Sequence, residues 1–292
     1  MKKFLFLGGD LRMLYAAEYL NKGRECLLYG FDTVEELPVP RAEALTPCDY
    51  AVLPLPATAD LLHINMPYSK GENPDFGILK EALKKGGTVL TSKSCPALEK
   101  VCEENGFKLQ NYFEREELQI MNAVPTAEGT LEIMLKELPV TVFGVRALIT
   151  GFGRIGEAMA RMLIALGAKI TAAARSFPQQ AKARGMGCET VSIEGMEKIL
   201  SQMQVIINTV PAPIFDKERL KLLQKDCLLI DLASKSAIED MDTAAEAGVK
   251  AIWALSLPGR TAPVTAGQII GKTIENMLAP QAGEEGENVS SV

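Results

Sequence analysis

Apolar and polar positions along the chain follow two alternating rhythms. Short apolar runs such as FLFL (4–7) end in glycine, and the stretch after the glycine carries apolar residues at three- and four-residue spacing. That spacing marks a helix with one face on a core. The arrangement occurs twice at length, as KKFLFLGGDLRMLYAAEYLNKGRECLLYGFD (2–32) and RALITGFGRIGEAMARMLIALGAKITAAARS (146–176). Each copy reads strand, glycine turn, helix, strand. Further apolar runs follow at 50–56 and 87–93 after the first copy, and at 205–211, 227–234 and 250–259 after the second. Strands alternating with helical stretches predict an α/β fold of two doubly wound parallel-sheet lobes, because parallel strands need crossover connections and the helices cover both faces.

Between the copies, NAVPTAEGTLEIMLKEL (122–138) predicts a helix opening after Pro125 and Thr126, with Leu131, Met134, Leu135 and Leu138 at helical spacing. A second bridging helix is expected over 261–278. The expected organisation is a first, substrate-holding lobe over 1–125, completed by the helix at 262–280, and a second, nucleotide-binding lobe over 126–261. The tail at 280–292, rich in Gly and Glu, has too little apolar surface to fold.

Composition mainly excludes. A net charge of -6 with scattered Lys and Arg offers no basic face for a nucleic-acid backbone. No apolar run approaches the ~18 residues that cross a bilayer. The opening MKKFLFLGGD breaks at Gly8 before a secretory signal forms, so a soluble, cytoplasmic chain is expected. Six widely spaced cysteines without a C-x-x-C pair, and a single histidine, His63, cannot build a Cys/His metal site. Reduced, buried thiols and no metal are expected.

Gly151, Gly153 and Gly156 form G-x-G-x-x-G directly after the run ALIT and at the start of a helix, around Arg154 and Ile155. In that context the first glycine permits a tight turn, the second admits a pyrophosphate, the third lets helix and strand close up, and the helix start offers N–H groups. An acid that would take the ribose hydroxyls belongs about 20 residues on. That place holds Ala174, followed by Arg175 and Ser176, whose guanidinium and hydroxyl suit a 2′-phosphate. The expected cofactor is NADP. Thr209, Val210 and Pro211, after the run at 205–208, are placed at the nicotinamide ribose by analogy with dehydrogenases. The first copy has only adjacent glycines followed by Asp10, which would repel a phosphate, so this lobe is expected to hold substrate across a cleft; Asp32, at ribose-binding spacing from Gly8, leaves a second NAD site as the alternative.

GGDLR (8–12), FEREELQIMNAVPTAEGT (113–130), GFGRIG (151–156), AARS (173–176), INTVPAPIF (207–215), DLASK (231–235) and LPGRTAPVTAGQI (257–269) follow one another along nearly the whole chain. On these segments the sequence resembles the A subunits of bacterial dipicolinate synthases. The resemblance implies NADP-dependent formation of pyridine-2,6-dicarboxylate from a dihydrodipicolinate-type precursor of lysine biosynthesis. It further implies a B-subunit partner and a place in the mother cell of a sporulating bacterium. Assembly with further copies of the chain is also expected.

A dicarboxylate substrate calls for cations, hydroxyls or helix starts. Arg115, Asn122, Thr126 and Arg260 are candidates to bind it; Glu128, Ser234 and Lys235 are candidates for the chemistry. Each has a plainer alternative: Thr126 as a helix N-cap, Glu128 as an acid favoured by the helix dipole, Lys235 as a solvated lysine. Arg260 stands in an expected loop, where relatives are expected to carry an apolar residue. D-2-hydroxyacid dehydrogenases use a late histidine as acid and base, and residues 230–265 contain none. Another two-lobed NADP-dependent dehydrogenase, or a non-catalytic NADP-binding scaffold for a partner, remain the alternatives.

Overall fold

The structure, a computed structural model, describes residues 1–238 and 241–279; the tail at 280–292 lies outside the described residues. The chain divides into two compact units, one formed by Met1–Leu118 with the helical segment that begins at Gly267, the other by Gln119–Ala266.

In the first unit β1 (Lys3–Leu7), β2 (Glu25–Tyr29), β3 (Cys48–Val52), β4 (Leu83–Thr91) and β5 (Lys108–Asn111) form a parallel sheet in the order β2-β1-β3-β4-β5. Helices α1 (Leu11–Asn21), α2 (Leu79–Ala82) and α3 (Pro96–Asn105) connect its strands, and α4 (Glu116–Glu137) leads into the second unit. The unbroken apolar run of β1 has a direct cause. Phe4 and Phe6 face one buried cluster and Leu5 and Leu7 another, so a strand covered on both faces needs apolar residues at every position.

The second unit contains β6 (Arg146–Thr150), β7 (Lys169–Ala173), β8 (Glu189–Val191), β9 (Val205–Asn208), β10 (Leu228–Asp231) and β11 (Lys250–Trp253), all parallel. Their order, β11-β10-β9-β6-β7-β8, is that of two mononucleotide-binding halves joined at β6 and β9. Its helices are α5 (Arg154–Ala165), α6 (Phe177–Gly185), α7 (Glu197–Leu200), α8 (Lys217–Lys221), α9 (Met241–Glu246) and α10 (Leu257–Thr261). The two parallel sheets expected from the sequence are present.

The helix expected to open at Pro125 opens instead at Glu116. Proline denies the carbonyl four residues back its usual donor, which is why Pro-Thr reads as a helix start. Here the helix runs through the proline: Thr126 Oγ1 donates to Asn122 O at 2.8 Å and Thr130 Oγ1 donates to Thr126 O at 2.8 Å, both bonds back along the same helix. Ala123 and Ala127 continue a buried face across the proline. Thr126 is therefore no N-cap, and Glu128 lies in mid-helix rather than in the first turn. Arg260, expected in a loop, lies in α10, which has Pro258 in its first turn.

The last helix, α11 (Pro263–Leu278), packs tightly on α1. A Cβ at Gly267 would lie 2.4 Å from Arg12 O, and one at Gly271 would lie 3.0 Å from Ala16 O. Both positions must be small for Ile270 and Ile274 to reach the core beside them.

All six cysteines are free and buried. Burial pushes the thiols of Cys26 and Cys227 up to about 12 and that of Cys102 up to about 11, and raises Cys48 and Cys188. At neutral pH they stay protonated and unreactive. Iodoacetamide is expected to leave the folded protein unlabelled over the time that consumes a free thiol, and to label six sites in denaturant. A cysteine alkylated in the native state as fast as a free thiol would contradict this. Among the described residues no cluster could hold a metal ion, and no helix is long and apolar enough to cross a membrane.

Candidate coenzyme-binding site

The three glycines after β6 stand in different surroundings. Gly151 has φ +84°, in the region that favours glycine, and a Cβ there would lie 2.3 Å from Thr209 Oγ1. A Cβ at Gly156 would lie 2.4 Å from Gly151 O, so the start of α5 packs directly on the turn. A Cβ at Gly153 would meet nothing within 4 Å. That open space lies where Gly153 occupies the N-cap of α5 and has no side chain to cap it. Arg154 and Ile155 follow as the first helical residues. Helix-start N–H groups lack partners within the helix, so this cradle fits a pyrophosphate.

The ends of β7, β9 and β10 share the same edge of the sheet. After β7, Ala174 is buried, and its carbonyl accepts from Gln180 Nε2 at 2.9 Å. Arg175 is exposed and forms no ion pair among the described residues. Ser176 caps α6, its Oγ accepting from Gln179 N at 3.4 Å, and keeps its hydroxyl proton for another partner. After β9, Thr209 donates to Thr150 O through both N and Oγ1, each at 2.9 Å, which sets Thr209 and Val210 beside Gly151, with Pro211 next in the chain.

Beneath these loops lies a polar network that the sequence pattern does not single out. Thr150, Asn208 and Asp231, each the last residue of its strand, are fully buried. Thr150 Oγ1 donates to Asn208 Oδ1 at 2.6 Å, and Asn208 Nδ2 donates to Asp231 Oδ1 at 2.7 Å and to Val210 O at 3.0 Å. Asp231 also accepts from Ala233 N at 3.1 Å and Ala237 N at 2.6 Å. These two amides bracket the turn that presents exposed Ser234 and Lys235. Trp253 Nε1 donates to Ala233 O at 2.8 Å. The only hint in the sequence is a polar residue closing each of three apolar runs.

The remaining candidates are placed differently. Asn122 is half-buried, Thr126 is buried with its hydroxyl committed to the helix, and Glu128 is exposed. A Cβ at Gly129 would lie 2.6 Å from Thr261 Oγ1, so α10, which carries exposed Arg260, lies against this stretch of α4. Arg115 belongs to the first unit, where it pairs with Glu117 at 2.7 Å.

The glycine turn of the first unit is occupied by its own chain. A Cβ at Gly8 would lie 2.3 Å from Met66 Cγ, and one at Gly9 would lie 2.6 Å from Pro54 Cβ. Asp10 caps α1 and holds buried Arg12 through Nε at 2.9 Å and Nη2 at 2.7 Å. His63 in this unit bonds through Nδ1 to Asp60 at 2.6 Å, which raises its pKa above the ordinary histidine value.

Sheet order, glycine turn and open helix start together define a two-unit protein with a nicotinamide-dinucleotide-binding domain of the dehydrogenase type. Residues 125–250 match the family model described as the NAD-binding domain of D-isomer specific 2-hydroxyacid dehydrogenases. Residues 3–113 match the model for the N-terminal domain of the dipicolinate synthase A subunit. Over nearly its whole length the chain is similar to that A subunit, in line with its motifs. It is 28% identical to the dipicolinate synthase A subunit of Bacillus subtilis (strain 168), over 98% of each chain. The crystal structure of the corresponding A subunit from Bacillus halodurans matches with a TM-score of 0.86 at 29% identity, over 96% of this chain and 98% of that one. A transhydrogenase from Sinorhizobium meliloti shares the fold, with a TM-score of 0.67 at 13% identity over 97% of this chain and 96% of the other.

Proposed function

We propose that this chain is the coenzyme-binding A subunit of a dipicolinate synthase, an oxidoreductase that uses NADP to convert a dihydrodipicolinate-type precursor into dipicolinate. The observation that carries this reading is the match to the dipicolinate synthase A subunit over 98% of both chains. The choice of NADP rests on Ala174 and exposed Arg175 standing where an acid would otherwise take the ribose hydroxyls. When bound, the nicotinamide supplies the hydride acceptor. The ring of the substrate gives up a hydride from one carbon and a proton, and aromatisation drives the change. The protein mainly has to orient.

Lys235 pairs with one substrate carboxylate, and the hydroxyl of Ser234 donates beside it. Glu128, exposed on α4, is the proton acceptor in this reading. The chain works with further copies of itself and with a B subunit, in the cytoplasm of a sporulating mother cell.

Incubating the purified chain and its B partner with the precursor and NADP should yield dipicolinate and reduced coenzyme in equal amounts. A second reading, a coenzyme-binding scaffold for a catalytic partner, draws on the lack of any imidazole in the second unit. Dipicolinate formed by a coenzyme-bound pair without coenzyme reduction would decide for that scaffold.

A further inference from the structure

We infer that Asp231 is a positioning residue: its buried carboxylate fixes the turn bearing Ser234 and Lys235 in register with the coenzyme loop at 209–211. The link to substrate rests on the proposed role of Lys235; the anchoring of the turn does not.

The first argument is cost. Residues 228–230 of β10 are Leu, Leu and Ile, all buried, and nothing in the packing of that strand calls for an acid at its end. Burying a carboxylate is unfavourable unless its oxygens are well supplied with donors, and an apolar residue would often serve stability as well. What the acid provides is acceptor geometry. Oδ1 takes Ala233 N and Asn208 Nδ2, and Oδ2 takes Ala237 N. A single side chain thus closes both ends of the 233–237 turn, alongside the bonds that Ala237 O accepts from Ile214 N and Phe215 N and Ala233 O accepts from Trp253 Nε1.

The second argument is connection. Asn208, the donor to Asp231, also grips Val210 through both its backbone groups, accepting from N at 3.1 Å and donating to O at 3.0 Å. Val210 and Thr209 in turn bound the space next to Gly151. The loop assigned to coenzyme and the turn assigned to substrate therefore hang from one Asn–Asp pair.

A neutral amide at 231 cannot reproduce this. All three partners are donors, so an asparagine must turn its own NH₂ toward one of them and lose that hydrogen bond. Asp231→Asn in the full chain, assayed with its B partner, is expected to raise KM for the precursor about tenfold while the Kd for NADP changes less than about twofold. On a Lys235→Ala background the same substitution should add no further loss, since its effect runs through Lys235.

Trp253, the sole tryptophan, reports on the turn without substrate, because its indole donates to Ala233 O. Acrylamide should quench its fluorescence more readily in Asp231→Asn than in the unmodified protein. Asp231→Thr, which suits a strand and offers one oxygen, takes its place if the asparagine variant does not fold. Unchanged quenching together with unchanged KM overturns the inference, as does a loss of NADP binding as large as the loss of substrate binding. Increased quenching in a protein whose KM is indifferent to Lys235→Ala upholds the anchor and refutes the substrate role given to Lys235.

Discussion

Gly156→Ala is expected to weaken coenzyme binding substantially, for NAD and NADP alike. The added methyl would lie 2.4 Å from Gly151 O and 3.3 Å from the carbon of that carbonyl, with Ile149 Cγ2 at 3.5 Å behind it. Backbone cannot rotate aside as a flexible side chain does, so α5 must lift from β6 and take its N-terminal N–H groups with it. Overpacking of this kind costs about 1–3 kcal/mol, shared between stability and binding. Calorimetry should show Kd raised at least about tenfold. Gly153→Ala is the informative contrast. Its methyl meets nothing within 4 Å and its φ of -97° suits any residue, so the unfolding transition should be unmoved. Binding should still weaken, because the methyl enters the space left for the pyrophosphate. Identical thermal stabilities for the two variants would contradict this division of roles among the glycines.

Arg175→Ala is expected to separate the two coenzymes. A charge-assisted contact to the 2′-phosphate is worth about 1.5–3 kcal/mol, equivalent to roughly 10- to 150-fold in Kd for NADP, whereas NAD has no such group to lose. The guanidinium is exposed, so salt will screen it: affinity for NADP should fall as ionic strength rises, and more steeply in the unmodified protein than in the variant. Equal losses for both coenzymes would remove the basis for choosing NADP.

The parts of the fold that were legible are those in which neighbours in sequence carry the cause. The run Phe4–Leu7 announces a strand covered on both faces, and Gly151, Gly153 and Gly156 announce their turn, because in each case the requirement is local. The edge strand β5, with the sequence KLQN, has too few apolar positions to announce itself, and β8 spans only three residues. The start of α4 is not legible because Pro125 signals a beginning, while the buried face that Ala123 and Ala127 carry across it exists only in the fold. The buried network was illegible for a different reason. Thr150 and Asn208 are 58 residues apart and Asn208 and Asp231 are 23 apart, so only the sheet order brings them together. Taken alone, Asp231 is indistinguishable from a solvated acid at the start of a loop.

Although the two halves of the chain repeat one another in outline, they are unequal as receptors. In the earlier half Met66 and Pro54 fill the room above the Gly8–Gly9 bend and an internal ion pair seals its rim, so restoring a missing fingerprint glycine there would not open a berth for a nucleotide. A calorimetric titration is therefore expected to saturate at one coenzyme molecule per polypeptide, the duplicated architecture leaving the other half to specialise separately.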